Sequence, residues 1–161
     1  AGVRIINLYV PNGSAVGSDK FAYKLQWLAK VRQLIADNLQ QYPACLVCGD
    51  FNIAPRDADV HDPEAWQGSV LVSKEERTAL ADICDLGLHD VFTRFEPQEV
   101  PYSWWDYRQA AFRRNRGLRI DHVLLSSVLA DQCASCYVDV TPRSWERPSD
   151  HAPVLCVLSN R

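Results

Sequence analysis

Val3, Ile5, Asn7 and Tyr9 alternate along the chain with Ile6, Leu8 and Val10, the period of two that a strand produces, and the run stops at the turn signal "PNG". Tyr9 is therefore expected at a strand end. Phe21, Leu25, Leu28, Val31, Ile35 and Leu39 then recur at helical spacing, with Lys24, Lys30, Arg32 and Asp37 on the other face. This predicts an amphipathic helix with a charged outer face. Ser73 and Glu76 have the spacing of a capping box, Leu80, Ile83 and Cys84 form a stripe, and Gly87 can supply the C-terminal cap, which predicts a second helix. Further strands are expected at 44–48, 102–105, 118–125, 133–140 and 154–158. Short strands with two covering helices predict a layered α/β sandwich.

Four polar pairs abut these strand-like runs: Tyr9 with Asn12, Asp50 with Asn52, Asp121 with His122, and Asp150 with His151. Strand interiors must fill a core, whereas their ends can hold polar groups at fixed separations, so the repetition points to one site assembled at strand ends. Gly49 permits a tight exit from its strand. Beyond it, Asp50 and Asn52 in extended chain would point the same way; an Asx-type turn is the plainer reading of the pair. Asp150 and His151 are adjacent and should diverge, so a carboxylate from another strand is expected to orient the imidazole, and Asp121 is the candidate. His61, His89 and His122 are read as structural.

An aspartate beside an asparagine suits phosphodiester hydrolysis. That reaction needs a group to take a proton from water, neutral donors to the charge growing on phosphoryl oxygens, and a hard cation. Magnesium takes one or two carboxylates with waters, so no full protein cage is expected.

Composition narrows the partners. The 161 residues are 47% hydrophobic and 23% charged, enough for one core and a single domain over 1–161. Seventeen basic residues against twenty acidic ones exclude a general polyanion-binding coat, so a nucleic-acid contact has to be a local patch. Arg108, Arg113, Arg114, Arg116 and Arg119 supply one within a loop-like stretch. No window has the apolar length of a membrane span and the start lacks signal-peptide character, so no membrane partner and a cytoplasmic location are expected. The chain has no methionine and starts almost directly in a strand-like run, which reads as a fragment or a processed protein.

Six cysteines include two C-x-x-C pairs, Cys45 with Cys48 and Cys133 with Cys136. Zinc knuckles need a tight turn between ligands, whereas these pairs lie in extended segments that point residues three apart to opposite faces, so buried free thiols are expected.

The ordered stretches "NLYVPNG", "GDFNIAPRDADVHDP", "YSWWDYR", "FRRNRGLRIDHVLLS" and "SDHAPV" resemble the endonuclease/exonuclease/phosphatase superfamily, and most closely its exodeoxyribonuclease III branch of abasic-site repair nucleases. The resemblance runs from Val3 to Leu158. It implies a four-layer αββα sandwich, of which this chain would be the C-terminal three-fifths. It also implies a magnesium-dependent (or manganese-dependent) hydrolase that cuts double-stranded DNA at abasic sites and trims 3' ends.

By the same resemblance, Tyr9 and Asn12 contact the scissile phosphate. Asp50 activates water or protonates the leaving group, Asn52 stabilises the transition state, and Asp121 pairs with His151. Asp50, Asn52 and Asp150 are the implied metal-associated residues. Trp104 and Trp105, with Leu118, match the wall that receives the base-free sugar; ordinary core is the alternative for the tryptophans.

Two elements of the family pattern are not found: an early strand ending in asparagine and a strand-end glutamate that is the principal metal ligand. Glu64, Glu75, Glu76, Glu96, Glu99 and Glu146 all lie in loop, helix or turn contexts. The chain alone is therefore expected to be nearly inactive and to tend toward self-association through an unpaired sheet edge. A phosphatase acting on a small ester and a non-catalytic DNA-binding remnant are the competing functions.

Overall fold

The structure, a computed structural model, describes residues 2–159. The first alternating run folds as β1 (Arg4–Tyr9), and the amphipathic run as α1 (Asp19–Gln41), whose N-terminus is capped by the Ser18 hydroxyl accepting from the Phe21 N–H. The apolar segment that follows forms β2 (Cys45–Asp50). A short α2 (Pro63–Trp66) leads to α3 (Lys74–Cys84), which begins with the expected Ser73–Glu76 capping box. After β3 (Leu88–Asp90) come β4 (Asp121–Ser126), α4 (Ser127–Ala130), β5 (Cys133–Val138) and β6 (Val154–Leu158).

Four of the strands make one sheet in the order β1-β2-β4-β3, and β5 and β6 make a second sheet. β1 runs parallel to β2 and β4 runs antiparallel to it, which sets Tyr9, Asp50 and Asp121 side by side at one end of three neighbouring strands. Alternation along β2 explains the layers. Cys45 and Val47 face α1 and α3 in a core with Leu28, Ile35 and Ile83, whereas Leu46 and Cys48 face the second sheet in a core with Val123, Cys136 and Val138. The described residues thus build three layers of the expected sandwich, helices over a four-stranded sheet over a two-stranded one.

Cys45 and Cys48 point into different cores, as extended chain requires, and all six cysteines are free thiols. Among the described residues no helix is long and apolar enough to cross a membrane.

Three sequence expectations need correction. Residues 102–105 are not a strand: Trp104 makes only isolated bridges, to Leu118 and to His151. The reason is that the segment divides its backbone bonds, Trp104 N–H donating to Leu118 O while Trp105 N–H donates to Asp150 O. The strand expected at 118–125 begins at Asp121, and β3, three residues long, carries too short a pattern to recognise. Lys24, assigned to the charged outer face of α1, is completely buried.

Candidate active site

Gly49 sets the first feature of the site. A side chain there would lie 2.0 Å from the Leu8 carbonyl oxygen, and φ is +129°, so glycine alone lets β1 and β2 approach this closely just before Asp50. Chain direction then changes. Asn52 adopts a left-handed backbone, φ 50°, which asparagine tolerates better than most residues. The extended geometry expected for 50–52 is thus replaced by an Asx turn: Asp50 Oδ1 accepts from the Asn52 N–H at 2.8 Å, and Asp50 Oδ2 from Asn52 Nδ2 at 3.1 Å. The turn and the clustering turn out to be one feature.

Asn52 is buried and its amide is fixed at both ends. Its Nδ2 also donates to Val10 O at 2.9 Å, and its Oδ1 accepts from Asn12 Nδ2 at 3.3 Å. Tyr9, 72% exposed, stands beside Asp50 across the β1–β2 pair.

His151 arrives from the loop before β6. Its Nδ1 lies 2.8 Å from Asp121 Oδ2, and its Nε2 lies 4.0 Å from Asp50 Oδ2. Asp121 is held in turn: Ser103 Oγ donates to its Oδ2 at 2.7 Å and accepts from the backbone N–H groups of Ile120 and Asp121. A cleft of about 460 Å³ opens next to Asp121 and His151 and reaches Cys48 and Val123 between the two sheets.

Electrostatics tune one carboxylate and one imidazole of the site. Burial, and then the charge of Asp121, push the Asp50 carboxyl up to about 6, against the opposing pull of the Asn52 N–H and His151. Burial draws the His151 imidazole downward, but the hydrogen bond and charge of Asp121, reinforced by Asp50 and Asp150, prevail and raise it above its ordinary value. A base close to neutrality beside a carboxylate-held imidazole is equipment for proton transfer.

Asp50, Asp121 and His151 each bring a ligand-type atom within 4.8 Å of the others. Two incompletely neutralised carboxylates fit a hard divalent cation, which takes oxygen ligands and retains waters. His151 fits less well as a ligand, since a hard cation prefers oxygen. Asp150 lies outside this group: its Oδ2 accepts from Trp104 Nε1 at 2.9 Å.

The aromatic and basic residues sort into two sets. Trp104 is half-buried beside His151, but Trp105 and Leu118 are core, Trp105 packing edge-on against Phe112 with its Nε1 donating to Asn115 Oδ1. Neither can be a wall presented to a sugar. Arg119 is likewise corrected: only 1% exposed, it pairs with Asp59 at 2.7 Å and with Asp90 at 2.7 Å. A buried arginine with two carboxylates to neutralise has nothing left for a phosphate. Arg108, Arg113, Arg114 and Arg116 are exposed, Arg108 in an ion pair with Asp106. His122 is buried between Ile53 O and Arg119, His61 meets Gly117 O, and His89 meets Ser127, so none of the three joins the cluster of Asp50, Asp121 and His151.

Ser103 and Lys24 escape sequence reasoning. The serine sits within "YSWW", where nothing in the periodicity marks a carboxylate-holding hydroxyl, and the lysine sits at a polar helical position.

Carboxylate, imidazole and amide groups thus gather at the strand ends of an α/β sandwich. The chain belongs to the Endonuclease/Exonuclease/phosphatase family, whose model matches residues 2–151. It is 36% identical over 158 residues to exodeoxyribonuclease III of Haemophilus influenzae, covering 93% of this chain and 59% of that protein. Among solved structures, a 3' phosphatase from Neisseria bound to a product DNA hairpin superposes with a TM-score of 0.96 at 43% identity, covering 99% of this chain and 62% of that one. An AP endonuclease from Archaeoglobus fulgidus gives a TM-score of 0.93 at 38% identity, covering 99% and 63%. The chain thus spans about three-fifths of the length of these relatives, a C-terminal portion of them.

Proposed function

We propose that this chain carries the phosphoryl-transfer half of a DNA-repair nuclease of the exodeoxyribonuclease III type, acting on double-stranded DNA at abasic sites and 3' ends. The observation that carries the reading is the convergence of Asp50 and His151, about a hundred residues apart in sequence, to 4.0 Å with Asp121 behind the imidazole. The DNA hairpin held by the Neisseria relative supports the choice of substrate.

In this reading Asp50 takes a proton from the attacking water or returns one to the leaving oxygen, a role suited to a carboxyl near 6. Asn52 Nδ2, whose two protons go to Val10 O and Asp50 Oδ2, would serve as neutral donor to charge growing on the phosphoryl group by exchanging its Asp50 bond for a phosphoryl oxygen. His151, its tautomer fixed by Asp121, presents Nε2 toward the same space for a phosphate oxygen. Tyr9 and Asn12 border the scissile phosphate, and Trp104 lies where a base-free sugar would stack. The exposed Arg113, Arg114 and Arg116 bind backbone phosphates without reading sequence. Asp50, with Asp121 nearby, would hold magnesium or manganese, which when bound polarises the phosphate and stabilises its developing charge.

We further infer that the 161 residues turn over slowly by themselves. Of the two carboxylates in the cluster, one is committed to His151, so cation affinity is weak. β1 lies at a sheet edge with Ile5 63% exposed, a surface suited to pairing with a second copy.

Labelled abasic duplex, a strand with a 3'-phosphate, and an inositol phosphate, each offered with magnesium, discriminate the readings. Slow cleavage or trimming of the DNA substrates with no inositol phosphate turnover is expected. Faster release of phosphate from the small ester would overturn the nuclease reading, and DNA binding without any turnover would support a non-catalytic remnant.

A further inference from the structure

Lys24 is completely buried, and so is its partner Glu76, although both sit in helices at positions that sequence patterning gives to solvent or to a cap. Lys24 Nζ donates to Glu76 Oε1 at 2.5 Å, to Asn52 O at 2.7 Å and to Asn12 O at 3.0 Å. An ammonium has three protons, and all three are engaged. Lys24 therefore has no donor left for substrate. What it does hold is the backbone of the two asparagines whose side chains meet at the site.

We propose that Lys24, anchored by Glu76, is a positioning residue that clamps the Asn12 and Asn52 loops in register, so that the joined amides stay in place beside Asp50; this rests on the nuclease reading above. Three observations support it. Asn52 is left-handed, so its carbonyl turns away from the strand ladder and needs a buried partner, which Lys24 supplies. Gly13, next to Asn12, has φ +93°, and a side chain there would come within 3.1 Å of the Lys24 stem, so the loop is shaped around the lysine. Glu76 is itself fully engaged, accepting from the backbone N–H groups of Leu71 and Ser73 and from the Ser73 hydroxyl, which ties the clamp to the start of α3. A pair kept only for stability has no need of this geometry, because apolar residues of similar volume often replace buried ion pairs without loss.

The double variant K24M/E76Q tests the clamp. It removes both charges together; the introduced amide oxygen still accepts from the Ser73 N–H and hydroxyl, and only the Leu71 N–H loses its acceptor. Hydrogen exchange of the Asn52 backbone N–H, measured by NMR without DNA, should accelerate at least tenfold while core amides of β2 and β4 keep their protection. On abasic duplex kcat should fall about tenfold or more, with KM within twofold. Unchanged exchange at Asn52 in a folded double variant would overturn the proposal. Should that variant not fold, K24R keeps the charge pair but cannot place one nitrogen on three acceptors, and the same rise at Asn52 is expected; no rise overturns it. Because exchange is read without turnover, an inactive wild-type chain would strike the nuclease reading and leave the clamp result standing.

Discussion

His151 Nδ1 lies 2.8 Å from Asp121 Oδ2, which ties the first residue of β4 in one sheet to the loop that leads into β6 of the other. The hydrogen bond therefore spans the interface between the layers. It orients the imidazole and keeps its second nitrogen turned toward Asp50.

Titration of His151 by NMR checks this pair. Its folded pKa is raised, so its contribution to stability is complete below the ordinary histidine value of 6.5 and is lost as pH rises through the folded value. D121N should bring the His151 pKa below that of the wild type, because the hydrogen bond and charge that opposed burial are gone. An unchanged titration would mean that Asp121 does not govern the imidazole.

Asp50 gives a prediction of opposite consequence for the cation. Its carboxyl, about 6 in the folded chain against 3.8, binds a proton more tightly when folded, so stability declines as pH rises between those values. The shift corresponds to something on the order of 3 kcal/mol. D50N should accordingly raise the melting temperature at pH 7.5 by several degrees. Magnesium at 10 mM, a concentration of about the millimolar order suited to a weak site, should stabilise the wild type at pH 7.5 but not at pH 5, where the proton occupies the site. It should not stabilise D50N at either pH. An equal thermal shift in D50N would place the cation elsewhere.

The arginines separate by burial. R119M removes the buried guanidinium that Asp59 and Asp90 share, leaving Asp59 to Arg56 alone, and should cost roughly 3 kcal/mol by chemical denaturation. R113A, R114A and R116A should each change stability by less than about 0.5 kcal/mol. Each should nevertheless weaken duplex affinity and lower the salt dependence of log K by about 0.9 for every phosphate that the protein no longer neutralises. Weaker affinity at an unchanged salt slope would mean that these guanidinium groups do not sit on phosphates.

Much of this site is legible in the sequence because its residues sit where patterns break. Tyr9, Asp50 and Asp121 end or begin apolar runs, and the divergence of neighbours in extended chain is enough to direct His151 to Asp121 instead of Asp150. Tertiary context decides the rest. Arg119 lies in the same basic stretch as Arg116, and only the folding of Asp59 and Asp90 around it reveals that its charge is internal. Trp104 and Trp105 are neighbours of one type, yet opposite sides of one irregular segment place one beside the site and the other in the core. Lys24 follows helical spacing onto the polar face, but the Asn12 and Asn52 loops cover that face. Burial there is imposed by segments distant in sequence, which no local period encodes.

The most direct measurement is single-turnover cleavage of an abasic duplex in magnesium by the wild type, D50N and H151A, with duplex affinity recorded in parallel. The wild type should cut slowly at the abasic phosphodiester. Each variant should lose about a hundredfold or more of that rate while binding the duplex within about threefold of wild type, as expected when backbone-contacting arginines dominate affinity. Cleavage by D50N or H151A at the wild-type rate would contradict the account, since the chemistry would then lie away from the place where β2, β4 and the loop before β6 meet.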